Sequence, residues 1–197
     1  AQLGIDPGAV DEVYITHMHG DHLHGAVTPE GAKVFPNAVL RIAKADVDYW
    51  GSPDVEAAAP ADQKGRFAAA KRAMAAYGNR LQPFELNAEL TPGIRSVAAV
   101  GHTPGHSCYL VSSGDAKLLL LGDTMHVAAV QFPQPEITVM FDFRQDLARS
   151  RRLELFEMAV KDNLIVGAVH LPFPGVGHLR NRDGGGFNYV PLPWQLY

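Results

Sequence analysis

The chain has 197 residues, 47% of them hydrophobic and 19% charged, with a formal net charge of -4. That length and composition suit a globular domain with a sizeable core and exclude a disordered chain. The negative balance gives no footprint for nucleic acid, the single cysteine excludes an intrachain disulfide, and no apolar run reaches the roughly 18 residues that would span a membrane.

Residues 10–16 read as a buried strand that runs into a histidine-rich loop, and residues 38–43 read as a second strand after the turn signal Phe35-Pro36-Asn37. Residues 61–77 are alanine-rich and place Phe67, Ala70, Met74 and Tyr77 on one face of a helix. Strands are expected at 94–100, 107–111 and 117–121, punctuated by Gly101 and the turn Ser112-Ser113-Gly114-Asp115. Residues 128–143, with Pro133 and Pro135, read as a long loop with some extended structure. Asp146 is placed to cap a helix running to Lys161 with Leu155, Phe156, Ala159 and Val160 inward. Arg149, Arg151 and Arg152, beside Glu154 and Glu157, read as its solvated face. A buried strand at 164–169 ends at His170, and the turn Asp183-Gly184-Gly185-Gly186 precedes a final strand at 187–190. The pattern is α+β without the regular alternation of a doubly wound sheet, and one domain over 1–197 is the simplest reading.

His17-Met18-His19-Gly20-Asp21-His22 concentrates three imidazoles and a carboxylate in six residues directly after an apolar strand. Core packing has no use for that density of ligand atoms, whereas a borderline-soft ion such as zinc does. His17 and His19 are two apart and face the same way from an extended backbone, while Asp21 and His22 are placed for a second, nearby ion. Three further blocks supply candidate ligands. The turn Gly101-His102-Thr103-Pro104-Gly105-His106-Ser107 presents His102, with His106 read as structural. Asp123 follows four leucines, where a buried carboxylate calls for a cation, and His170 ends the strand at 164–169.

The order HxHxDH, GHTPGH, GD and a strand-end histidine resembles the dinuclear pattern of the metallo-β-lactamase superfamily. The resemblance implies an αββα sandwich, with His17, His19 and His102 on one ion, Asp21, His22 and His170 on the other, and Asp123 bridging. It is closest to the methyl parathion hydrolase-like members, through VDEVYITHMHGDH, FPNAVLR, GHTPGHS and HLPFPGVGH, over about residues 11–191. That likeness implies hydrolysis of organophosphate triesters, lactones or esters by a hydroxide bridging two divalent ions, zinc above all, in a homodimer. Asp21 would orient the hydroxide, and Trp50, Arg66, Phe67 and Phe132 would line the substrate pocket. The chain departs from the pattern at Arg66-Phe67, where the family has consecutive aromatics, and at His126, where it has an aliphatic residue. His126 is a candidate to protonate a leaving group, and both departures make the pocket more polar. Family members also carry strands and a helix before the HxHxDH loop, so the sandwich is expected to lack those elements in this chain. The chain begins at Ala1 without a methionine, and export to the periplasm or beyond would need a signal peptide upstream.

Three other readings are weighed against this one. Flavodiiron members of the fold replace the second histidine of the motif with a carboxylate, whereas His19 is present here. The β-lactamases with a cysteine ligand place it near the position held by Asp123. A metal-loaded but catalytically silent binding module would show the same ligand set without turnover.

Overall fold

The computed structural model describes residues 4–193. The chain divides into two compact units, Ala1–Glu85 and Leu86–Tyr197, so the domain expected from the sequence has two parts, each with its own sheet and core.

The first unit holds a three-stranded, all-parallel sheet in the order β1 (Glu12–Tyr14), β2 (Val39–Ala43), β3 (Leu81–Phe84). Pro83 is accommodated because β3 lies at the edge, where a missing amide is tolerated. Between β1 and β2 lies α1 (Gly20–Leu23), and β2 feeds directly into α2 (Lys44–Gly51). After α3 (Pro53–Ala58) comes α4 (Lys64–Tyr77), preceded by a 3-10 turn at Ala61–Gln63, so the expected helix is present with its first turn tightened. Its inward face is Phe67, Ala70, Ala73 and Tyr77, with Met74 half-buried, and it packs with Leu40 and Ile42 of β2, Leu23 and Trp50.

The second unit holds a seven-stranded sheet in the order β10-β9-β8-β7-β6-β5-β4. The strands are β4 (Glu89–Thr91), β5 (Ile94–Ala98), β6 (Ser107–Ser113), β7 (Ala116–Leu120), β8 (Ile165–Gly167), β9 (Val176–Asn181) and β10 (Phe187–Pro191). All neighbours are antiparallel except β7 and β8. A parallel pair needs a crossover, and α6 (Gln145–Lys161) supplies it. The 128–143 segment contains the short helix α5 (Ala128–Gln131) followed by turns, not extended structure. Asp146 does not cap α6: Arg144 is the N-cap, and Asp146 lies in the first turn, paired with Arg144 at 2.6 Å.

This topology fixes where the loops go. β7 and β8 are parallel neighbours, so the segments after them emerge at the same end of the sheet, and β6, antiparallel to β7, begins at that end. Asp123 follows β7, His170 follows β8 and His102 precedes β6. Likewise β1 and β2 are parallel, so the His17 loop and the start of α2 share one end of the first sheet.

Candidate metal centre

In the first unit, β1 delivers the chain into the His17–His22 segment. His17 is fully buried, and its Nε2 lies 3.0 Å from His19 Nδ1. The His22 ring sits 4.0 Å from that of His17 between centroids, so the three imidazoles of the motif converge. Asp21 lies on the exposed side of the motif: its side chain is 65% exposed, and its Oδ2 lies 3.5 Å from His22 Nε2. The loop is pinned from behind by Asp46, fully buried in the first turn of α2, whose Oδ2 accepts the Met18 N–H at 2.9 Å. Asp46 carries no signal in the sequence, because a lone aspartate after an alanine forms no motif. Trp50 meets His19 edge-to-face at 5.5 Å, and Phe67 packs behind Trp50 at 4.9 Å. Arg66 is half-buried beside them in sequence.

In the second unit, three histidines gather on one carboxylate. Asp123, 3% exposed, takes His102 Nε2 at 3.2 Å and His126 Nε2 at 3.1 Å on Oδ2, and His170 Nε2 at 3.4 Å on Oδ1. Ligands bound at about 2.0–2.1 Å to a tetrahedral ion lie about 3.3 Å apart, so these spacings fit a divalent metal, with the carboxylate's two oxygens serving different sides. His126 is thus brought to the carboxylate from α5's leading edge, its ring stacked on that of His170 at 5.0 Å. Phe132 is a core residue, 2% exposed, packed on Phe156 at 5.2 Å and stacked on Tyr189 at 5.5 Å.

His102 and His106, four apart in one turn, do different things. His106 Nε2 accepts the Asp123 N–H at 2.9 Å, so its proton sits on Nδ1, which donates to the Ala99 carbonyl at 3.0 Å. That ring is neutral and structural, as its reading in the sequence had it. His102 instead turns Nδ1 to Asp142 Oδ1 at 3.0 Å. Asp142 is buried, and burial alone would raise its pKa. The hydrogen bond from His102, the Val139 N–H and the charge of Arg152 outweigh that and hold it below the usual carboxylate range. An ionised Asp142 can only accept, so His102 carries its Nδ1 proton there and aims Nε2 at Asp123, the arrangement that suits a metal ligand. Burial opposes a charge on His102, but hydrogen bonds to Asp123 and Asp142 more than offset it, raising its pKa.

Arg152 corrects the sequence reading of a solvated arginine face. It is fully buried and donates from Nε to Thr124 O at 2.6 Å and from Nη1 to Pro135 O at 2.9 Å and Ile137 O at 2.7 Å. Its Nη2 lies 3.6 Å from Asp142 Oδ2. Helical charge patterning cannot reveal this, since the acceptors come from loops 15 to 28 residues away.

A mixed α+β fold whose strand ends gather imidazoles and carboxylates is the architecture of a metal-dependent hydrolase. The profile of the metallo-beta-lactamase superfamily matches residues 1–185, and the chain belongs to that superfamily. Among solved structures it is similar to the hydrolase AbOPH of the β-lactamase superfamily: 30% identity, TM-score 0.91, covering 98% of this chain and 68% of that one. It is also similar to AidC, a dizinc quorum-quenching lactonase solved with its product N-hexanoyl-L-homoserine: 26% identity, TM-score 0.89, covering 99% of this chain and 68% of that one. A probable metal-dependent hydrolase from Staphylococcus aureus, at 21% identity and TM-score 0.75, shares the fold. No curated protein matches the chain. Among the described residues, no helix is long and apolar enough to cross a membrane.

Proposed function

We propose that the chain is a dinuclear metal hydrolase acting on small-molecule lactones, with aryl esters and organophosphate triesters as further substrates of the same chemistry. The observation that carries the reading is the division of Asp123, whose Oδ2 faces His102 and whose Oδ1 faces His170, as a carboxylate shared by two ions would. The lactone preference rests on the likeness to AidC, whose bound product is an opened lactone.

In this proposal His17, His19 and His102 would hold one zinc ion and Asp21, His22 and His170 the other, with Asp123 as the carboxylate they would share. Two such ions, when bound, activate water at neutral pH and stabilise the negative charge that develops on the attacked group. The chain's own residues do the rest. Asp142 fixes the His102 ring. Asp21 orients the attacking water from the exposed side of the first cluster. His126, its Nε2 already at hydrogen-bond distance from Asp123, is placed to donate to the leaving oxygen. Trp50 and Phe67, with Arg66, form an aromatic wall beside His19. The sequence's resemblance to the methyl parathion hydrolase-like members implies a homodimer, which light scattering of the purified protein checks.

The test is a panel of acyl lactones, aryl esters and phosphotriesters assayed with metal analysis of the same sample. The expected result is about two zinc ions per chain, turnover of at least one class, and loss of turnover by about a hundredfold or more in His17→Ala and Asp123→Ala. Unchanged rates in those variants would place the chemistry elsewhere. Iron with an optical signature would favour a redox member of the fold, and a loaded protein inert on every class a silent binding module.

A further inference from the structure

The guanidinium of Arg152 touches the two segments of the second unit that bear on the ligands His102 and Asp123. On one side it holds the carbonyl of Thr124, the residue after Asp123, at 2.6 Å. On the other it faces Asp142, whose second oxygen orients His102. Between them it collects the carbonyls of Pro135 and Ile137, which fold the 133–142 segment back onto α6. A fully buried cation is costly, and burial lowers the pKa of Arg152, with Asp142 offsetting part of that. A leucine or methionine would fill the same volume without such a cost, so packing does not account for an arginine at this position.

We propose that Arg152 is a positioning residue for the metal centre: it fixes the spacing between Asp123 and His102 and dictates which nitrogen of His102 faces the metal. The second part follows from hydrogen-bond polarity. Asp142 Oδ2 accepts the Val139 N–H at 3.2 Å and lies beside Arg152, so only an oxygen suits that position. Asparagine at 142 would have to turn its carbonyl to Val139 and Arg152 and its amide nitrogen to His102 Nδ1. His102 Nδ1 would then accept, and its proton would move to Nε2, the atom needed as ligand.

This inference rests on the metal reading proposed above, and the experiment separates the two. Protein stripped of metal is titrated with zinc against a chromophoric chelator, and the histidine tautomers are read by 15N NMR. If wild-type protein takes up no zinc, the metal reading fails. If it does, Asp142→Asn and Arg152→Met should each weaken zinc binding by about 10–100-fold. Asp142→Asn should also move the His102 proton from Nδ1 to Nε2. Wild-type affinity in both variants, or a His102 ring in Asp142→Asn that keeps its proton on Nδ1, overturns the proposal. Should Arg152→Met not fold, Asp142→Asn decides alone, because it exchanges one atom and keeps the volume.

Discussion

Both ring nitrogens of His106 are engaged by backbone, which makes it a strut under Asp123. Replacing it with alanine takes away the acceptor of the Asp123 N–H and the donor to Ala99, and opens a cavity. His106→Ala is expected to lose about 2–4 kcal/mol of stability, measured by urea unfolding of the metal-free protein. His102→Ala should behave oppositely, weakening zinc uptake far more than it destabilises the metal-free chain. At this scale the sequence was partly legible. Glycine and proline around His102 and His106 announced a tight turn, and the ligand types in HxHxDH announced a cluster of residues that could hold a metal. Asp46, Asp142 and Arg152 were not legible, because each works through a partner many residues away, and nothing in its own neighbourhood marks it.

Among the elements, the turn before β6 depends on one glycine. Gly101 has φ of +134°, its carbonyl accepts the Arg144 N–H at 2.8 Å, and a Cβ there would lie 2.2 Å from the Ala148 nitrogen of α6. Gly101→Ala is expected to cost about 2–4 kcal/mol in thermal unfolding and to loosen His102 with it. On the first sheet, Glu12 on β1 bonds Arg41 on β2 at 2.7 Å and also takes the Tyr14 hydroxyl. Arg41 lowers the pKa of Glu12, while burial, then the bond to Glu12, pushes Tyr14 up to about 12. A lowered carboxyl contributes stability that is present above its unfolded pKa and lost as pH falls through the folded value. A raised phenol contributes stability that is present below its unfolded pKa, near 10, and lost as pH rises through about 12. Unfolding measured across pH should show both losses, and Tyr14→Phe should diminish the alkaline one, leaving the share of the other buried phenols and Cys108. The strands at β1, β2, β5, β6, β7, β8 and β10 and the helices α4 and α6 were visible in hydrophobic periodicity. The helices α2 and α3 and the strands β3, β4 and β9 were not, being short, interrupted by proline or half-polar.

Taken whole, the chain is two compact units, each with one sheet and one cluster of candidate ligands, and it spans about two thirds of the solved relatives it resembles. In the proposed reading two zinc ions bind the native chain and not the unfolded one, so metal acts as a folding ligand. With zinc at a hundred times its dissociation constant, linkage adds about 2.7 kcal/mol. Chelation is therefore expected to lower the melting temperature by about 5–10 °C for a chain of this size, and zinc, not magnesium, should restore it. An unchanged melting curve on chelation would deny the ions any part in stabilising the chain.

Cys108 is the chain's single cysteine, fully buried, with Sγ 3.3 Å from Leu121 O and 3.3 Å from Thr124 Oγ1, and burial pushes its thiol up to about 12. A thiol so placed becomes open to an alkylating reagent when the segment carrying Asp123 swings away. The protein therefore contains its own clock for that motion: the rate at which Cys108 is alkylated counts openings of the carboxylate's loop, without any label being engineered in. Zinc that binds through Asp123 should slow that clock, giving a record of occupancy that needs no substrate.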